Sequence, residues 1–152
     1  MDCTLDKKLT ILIINYKTPD FLENCVGTLY RHSPAINFDI LIVDNNSQDE
    51  SIENLIGRFP KVHIIKNSRN LGFGTANNIA IRKILSQYIL LLNSDTIILP
   101  KTLSSLLNTM EASPSTGILG GQLLHPDGTF QESYNRFPGL LNEFIRKNAQ
   151  RE

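Results

Sequence analysis

At 152 residues the chain is the size of one ordinary domain, and with 41% hydrophobic residues it has enough apolar surface for a core. Fifteen basic residues balance fifteen acidic ones and no basic stripe runs along the chain, which argues against a nucleic-acid-binding surface. The only two cysteines, Cys3 and Cys25, lack CxxC spacing and give neither a disulfide framework nor a zinc site.

The first element is a near-continuous apolar run, Leu9-Thr10-Ile11-Leu12-Ile13-Ile14, which stops at Asn15-Tyr16. Short runs of this kind are the pattern of parallel strands buried on both faces. Thr18-Pro19 then predicts a helix start, with threonine as N-cap and proline at the first helical position. Phe21, Leu22, Cys25, Val26, Leu29 and Tyr30 follow at helical spacing, which makes Cys25 a small core hydrophobe. The second apolar run, 38–43, stops at Asp44-Asn45-Asn46. Ser47-Gln48-Asp49-Glu50 has the form of a capping box, with Ile52, Leu55 and Ile56 on the buried stripe of the helix it opens.

A third short strand is predicted over 62–65, and a glycine-containing loop over 67–74 leads into a helix over about 75–85. The fourth run, Tyr88-Ile89-Leu90-Leu91-Leu92, stops at Asn93-Ser94-Asp95. Pro100 opens a helix whose stripe is Leu103, Leu106, Leu107 and Met110. A strand over 117–124, a Pro126-Asp127-Gly128 turn and a returning segment at 129–132 read as a hairpin, and 139–150 as a terminal helix. Strands alternating with helices of this length imply a mostly parallel sheet with right-handed crossovers.

Three polar groups therefore stand where three buried strands stop, and open parallel sheets bind ligands beyond the carboxyl ends of their strands. A carboxylate at Asp44 is costly to bury unless it finds donors. It suits a base or ribose, and it equally suits an Asx turn that caps the following loop; on spacing both readings stay open. Asn93 and Asp95, two oxygen donors at i and i+2, can bracket a Mg2+ or Mn2+ ion that also holds phosphates. Gly72 and Gly74 allow close approach of a ligand to the backbone, before a helix N-terminus that suits anions. This is not the GxGxxG dinucleotide fingerprint, and neither a P-loop nor a GxSxG elbow is present. His32, His63 and His125 have no ligand spacing.

The order Ile-Ile-Asn-Tyr-Lys-Thr (13–18), Val-Asp-Asn-Asn-Ser-Gln-Asp (43–49), Asn-Leu-Gly-Phe-Gly-Thr-Ala-Asn-Asn (70–78) and Leu-Leu-Asn-Ser-Asp-Thr (91–96) resembles family 2 glycosyltransferases of the GT-A fold. Gly120-Gly121-Gln122, His125-Pro126-Asp127-Gly128-Thr129 and Asn135-Arg136-Phe137-Pro138 resemble the rhamnosyltransferase-type branch. The likeness covers about 9–138, nearly the whole chain. It implies one Rossmann-like α/β domain with a mostly parallel open sheet in the order 3-2-1-4, helices on both faces, and a nucleoside diphosphate sugar as donor. By the resemblance, Asn15 and Tyr16 line the nucleotide pocket and Asp44 with Asn46 faces the base or ribose. Asn70, Gly72, Gly74 and Asn77 border the donor pocket. Asn93 and Asp95 take the place of the family's D-x-D, with Asp95 as metal ligand to Mg2+ or Mn2+. Asn93 replaces the first aspartate, and the lost charge weakens the expected metal binding.

The resemblance also implies an inverting transfer to a glycan or lipid-linked acceptor, which needs a base for the acceptor hydroxyl and positive charge on the leaving diphosphate. The family's base belongs to an acidic motif well beyond D-x-D, and neither Glu132 nor Glu143 has that context. The catalytic residue is therefore unassigned. The chain is expected to be the donor-binding half of a longer enzyme, or a subunit completed by a partner chain. A nucleotide-sugar-binding module without turnover is the alternative; a sugar-nucleotide nucleotidyltransferase is disfavoured because its glycine-rich loop after the first strand is not found. The polar N-terminus is no signal peptide, and no apolar run approaches the roughly 20 residues that span a bilayer. A cytoplasmic protein, with peripheral attachment at the inner face of the membrane, is the expectation.

Overall fold

In the computed structural model, residues 7–48 and 51–133 are described. The elements alternate as β1 (Leu9–Asn15), α1 (Pro19–His32), β2 (Phe38–Asp44), α2 (Ser51–Arg58), β3 (Val62–Lys66), α3 (Phe73–Ile81), β4 (Tyr88–Asn93) and α4 (Thr102–Ala112). Two short strands, β5 (Leu123–Leu124) and β6 (Phe130–Gln131), follow. The four longer strands form one parallel sheet in the order β3-β2-β1-β4. The 3-2-1-4 order and the helices on both faces are those expected from the sequence.

Side chains alternate across a strand, and this divides the apolar runs between two cores. Leu9, Ile11 and Ile13 of β1 join Phe38, Ile40 and Ile42 of β2 on one face. Leu22, Cys25, Val26 and Leu29 of α1, Ile52 and Leu55 of α2, and Leu103 of α4 belong to the same core. Leu12, Leu41 and Val43 point to the other face, where Ala76 and Ala80 of α3 and the nearby Ile84 meet them. Each fully buried Leu or Ile contributes about 1.5–3 kcal/mol of transfer free energy. β1, like β2, is flanked on both sides, and its last residue, Asn15, is completely buried. A polar side chain is thus carried to the edge of the core by an interior strand.

Several local expectations need correction. β4 reads as a strand buried on both faces, yet Leu91 is 50% exposed, because β4 is an edge of the sheet among the described residues. α3 runs Phe73–Ile81 rather than 75–85; beyond it the backbone tightens into i→i+3 bonds, Lys83 N–H to the Ala80 carbonyl (2.9 Å) and Ile84 N–H to that of Ile81 (3.1 Å). Of the strand expected over 117–124, only Leu123–Leu124 forms. Ser47 does not cap α2, whose first residue is Ser51; the Ser47 hydroxyl is engaged elsewhere, as described below. Asp49 and Glu50, the Asn135-Arg136-Phe137-Pro138 motif and the expected terminal helix lie outside the described residues.

Two compact units are distinguished, one up to Glu111 and one from Ala112. In the second, β5 and β6 pair antiparallel, Leu123 with Gln131 and Leu124 with Phe130. The expected turn closes them: Gly128 has φ 84°, and Asp127 Oδ1 accepts from the Thr129 N–H (2.9 Å) and hydroxyl (2.6 Å). Those bonds favour the ionised carboxylate and hold the Asp127 carboxyl below its ordinary range.

Candidate functional site

β1 and β2 end side by side, Asn15 in register with Asp44, and the Asn45 N–H donates to the Asn15 carbonyl (2.8 Å). From this point a chain of side-chain hydrogen bonds crosses the carboxyl edge of the sheet. Asn15 Nδ2 donates to Asp44 Oδ1 (3.3 Å) and to Ser47 Oγ (3.0 Å). The Asp44 carboxylate, 4% exposed, also accepts the Ser47 N–H (3.2 Å at Oδ2) and the Ser47 hydroxyl. Ser47 Oγ further accepts the Lys17 N–H (2.9 Å). One donated and two accepted bonds fill the capacity of that hydroxyl. The loops that follow β1 and β2 are thereby locked together.

On its other side, Asn15 Oδ1 accepts the Thr18 hydroxyl (2.8 Å), and Thr18 Oγ1 lies 3.0 Å from Ser94 Oγ. Thr18 has one hydroxyl hydrogen and gives it to Asn15, so Ser94 is the donor in the second bond. The loop after β4 is thus joined to the end of β1. Asn93 and Asp95 flank Ser94, and both are exposed. Cys25 Sγ–H points at the Asn93 carbonyl (3.7 Å) from beneath. Burial, then the charge of Asp95, push that thiol up to about 12, so it stays protonated and is no nucleophile.

A second group ties in the 67–74 loop. Asn45, 2% exposed, accepts from Asn67 Nδ2 (2.9 Å) and the Leu71 N–H (3.3 Å) at Oδ1. Its Nδ2 donates to Asn70 Oδ1 (3.1 Å). The Asn70 Oδ1 also accepts the Gly72 N–H (2.9 Å). Gly72 at φ 76° needs glycine for its backbone, whereas a Cβ at Gly74 would meet nothing within 4 Å, so the protein itself does not require glycine there. Asn77, buried on α3, donates to the Phe73 carbonyl (2.9 Å), and its Oδ1 has no partner among the described residues.

Backbone strain concentrates at the same edge. Lys17, Asn46 and Gln48 have φ of 58°, 70° and 61°. Asparagine tolerates this region, but lysine and glutamine sit there at a cost of about 1–2 kcal/mol each. The hydrogen bonds of Ser47, between Asn46 and Gln48, hold the turn in that shape. Tyr16, 43% exposed, stands beside it with the Lys17 ammonium 5.3 Å above its ring.

Of the residues singled out from the sequence, the structure brings Asn15 into direct contact with Asp44, and through Thr18 and Ser94 it links them to the Asn93–Asp95 loop. Asn46 lies in the strained turn, and Asn70 and Gly72 in the second group. Sequence reasoning missed Thr18, Asn45, Ser47 and Ser94, which make most of the connecting bonds. The sequence pattern makes Thr18 and Ser47 helix caps; α1 does begin after Thr18, but without a side-chain cap bond.

The donor set fits a divalent cation only in combination with a ligand. Among the described residues no group of three or more His, Cys, Asp or Glu side chains could hold a metal. One exposed carboxylate with an amide oxygen nearby is the kind of protein contribution that Mg2+ accepts when phosphates and water complete its shell. Among the described residues no helix is long and apolar enough to cross a membrane.

The sequence matches the family model for Glycosyl transferase family 2 over residues 10–152. It is 25% identical over 144 residues to the N-acetylglucosaminyl-diphospho-decaprenol L-rhamnosyltransferase of Mycobacterium tuberculosis, with 88% of this chain and 47% of the relative covered. It is 26% identical over 144 residues to the amylovoran biosynthesis glycosyltransferase AmsE of Erwinia amylovora, covering 92% and 53%. The chain therefore spans about half the length of these relatives. Among solved structures it resembles the mannosyltransferase PcManGT of Pyrobaculum calidifontis in complex with GDP-Man and Mn2+ (TM-score 0.66, 15% identity, 82% of this chain and 37% of that one). It also resembles S. aureus TarS 1-349 in complex with UDP (TM-score 0.63, 18–19% identity across the TarS structures, 70% and 33%).

Proposed function

The chain belongs to glycosyl transferase family 2 and has its GT-A fold, and on that premise we propose that it binds a nucleoside diphosphate sugar and forms the donor half of a sugar transfer to a glycan or lipid-linked acceptor. The observation that carries the proposal is the joining of the β1, β2 and β4 ends by the Asp44–Ser47–Asn15–Thr18–Ser94 bonds. It supports a ligand laid across the strand ends, nucleoside toward Asn15, Tyr16 and Asp44, diphosphate toward Asn93 and Asp95. The 70–78 segment borders the sugar.

Asp95 would hold Mg2+ or Mn2+ together with the phosphates. The cation, when bound, supplies the positive charge that a leaving diphosphate needs. The protein's own part is to orient the nucleoside through a preformed edge, so that little loop ordering is left for the ligand to drive. The relatives' names support a lipid-linked or polysaccharide acceptor, and the UDP and GDP-Man bound to the structural neighbours support a nucleotide-linked donor. No general base is assigned to Glu132, Glu143 or any other residue.

Titration of the 152-residue chain with UDP, dTDP and GDP, with and without Mn2+, tests the binding reading. One of the three binds, and more tightly with Mn2+; no binding by any of them contradicts the proposal. Adding the corresponding nucleotide sugar then separates two readings. Hydrolysis or transfer marks a catalytic chain, and binding without turnover marks a donor-binding part that another segment or chain completes.

A further inference from the structure

We propose that Thr18 is a positioning residue whose hydroxyl, by joining Asn15 Oδ1 to Ser94 Oγ, sets the Asn93-Ser94-Asp95 loop at a fixed place relative to the end of β1. Thr18 occupies the residue before α1, where a threonine hydroxyl ordinarily accepts an N–H of the first helical turn. Here it makes no such bond. Pro19 at the helix start already lacks an N–H, and the hydroxyl is turned away from the helix toward the strand ends. It donates to Asn15 at 2.8 Å and accepts from Ser94 at 3.0 Å, across 76 positions of sequence.

The bond has a directional consequence. Because Asn15 Nδ2 is engaged by Asp44 and Ser47, its Oδ1 is the face left for Thr18, and the Thr18 hydrogen is committed to it. Ser94 must then donate, which leaves the acceptor capacity of its oxygen unused by this bond. A shift at the nucleoside end is passed to the diphosphate end through one hydroxyl. Two sites that share such an element bind their ligands with a coupling free energy, and that coupling is reciprocal. In its binding consequence the inference rests on the nucleotide-binding reading above; in its structural consequence it does not.

Two measurements on the full chain keep those apart. In hydrogen–deuterium exchange without any ligand, Thr18→Val, which keeps the β-branched shape, raises exchange of the 93–98 segment by about fivefold, the factor expected for one lost hydrogen bond. Exchange in β3 stays at the wild-type rate, and Thr18→Ser restores the 93–98 segment. Ser94→Ala removes the same bond from the other side and reproduces the effect, should Thr18→Val fail to fold. Unchanged exchange at 93–98 in both variants, or an equal rise throughout the sheet, overturns the proposal. In calorimetric titration with UDP, dTDP and GDP, the gain in affinity on adding Mn2+ falls toward unity in Thr18→Val, and Thr18→Ser regains the wild-type ratio. A ratio unchanged by Thr18→Val also overturns it. If none of the nucleotides binds the wild-type chain, the proposed function fails, and the exchange result alone decides for or against Thr18.

Discussion

Asp95→Ala abolishes the Mn2+-dependent gain in nucleotide affinity. Asp95 is the sole carboxylate in the Asn93-Ser94-Asp95 loop, and the protein offers no other acidic cluster among the described residues to replace it. An interaction of a charged group is worth about 1.5–3 kcal/mol net, so the loss is about tenfold to a hundredfold in the presence of metal. Affinity measured without metal changes little, because Asp95 is exposed and holds no part of the network across β1 and β2. Calorimetry of wild type and variant, with and without Mn2+, gives the comparison; an undiminished Mn2+ effect in Asp95→Ala removes it as a ligand. Stability is also expected to stay close to wild type, as for most surface substitutions.

Asp44→Ala behaves differently and lowers stability and affinity together. The side chain is 4% exposed and accepts from Ser47 and Asn15. Removing it leaves the Ser47 N–H buried and unsatisfied, at a cost of about 1–3 kcal/mol. For a domain of this size each kcal/mol corresponds to about 2–4 °C in the unfolding midpoint. The strained turn at Asn46 and Gln48 loses its anchor, and nucleoside affinity falls by about 1–3 kcal/mol as the pocket loosens or loses a direct contact.

Asp44→Asn separates the two causes. Its Oδ1 still accepts the Ser47 hydroxyl and N–H (3.3 Å), while an NH2 replaces the Oδ2 that also received that N–H, so the midpoint falls less than in Asp44→Ala. If the carboxylate faces the ligand, affinity falls despite the retained fold; if Asp44 acts only as a cap, affinity is kept. Thermal unfolding alongside nucleotide titration reads both quantities.

The architecture was legible because the three longest apolar runs each stop abruptly at polar residues. Ile11, Leu12 and Ile13 are all buried, which only a strand covered on both faces requires. The place of the site followed from the same stops. What the sequence did not disclose is which polar side chain bonds to which. Ser47 obeys the capping-box pattern, and Thr18 the N-cap pattern, yet both hydroxyls turn to partners 30–76 residues away or across a loop. Local rules supply the nearest partner; tertiary placement of β1 between β2 and β4 supplied better ones. Asn45 carries no sequence signal that sets it apart from Asp44 and Asn46, although its buried side chain ties the 67–72 loop to β2. The β4 pattern misled in the opposite sense, since an apolar run shows that a strand prefers burial but not what covers it.

The convergence of Asn15, Asp44 and Asp95 on one nucleotide is tested most directly by paramagnetic broadening in NMR spectra of the 15N-labelled chain. Mn2+ is added in the presence of the tightest-binding of UDP, dTDP and GDP, with Mg2+ as the diamagnetic control. Resonances of Asn15, Thr18, Ser47, Ser94 and Thr96 broaden together, while those of Leu9, Phe38 and Tyr88, at the opposite end of the paired strands, stay sharp. Broadening at the Leu9, Phe38 and Tyr88 end, or none that depends on the nucleotide, contradicts a single site at the carboxyl edge of the sheet.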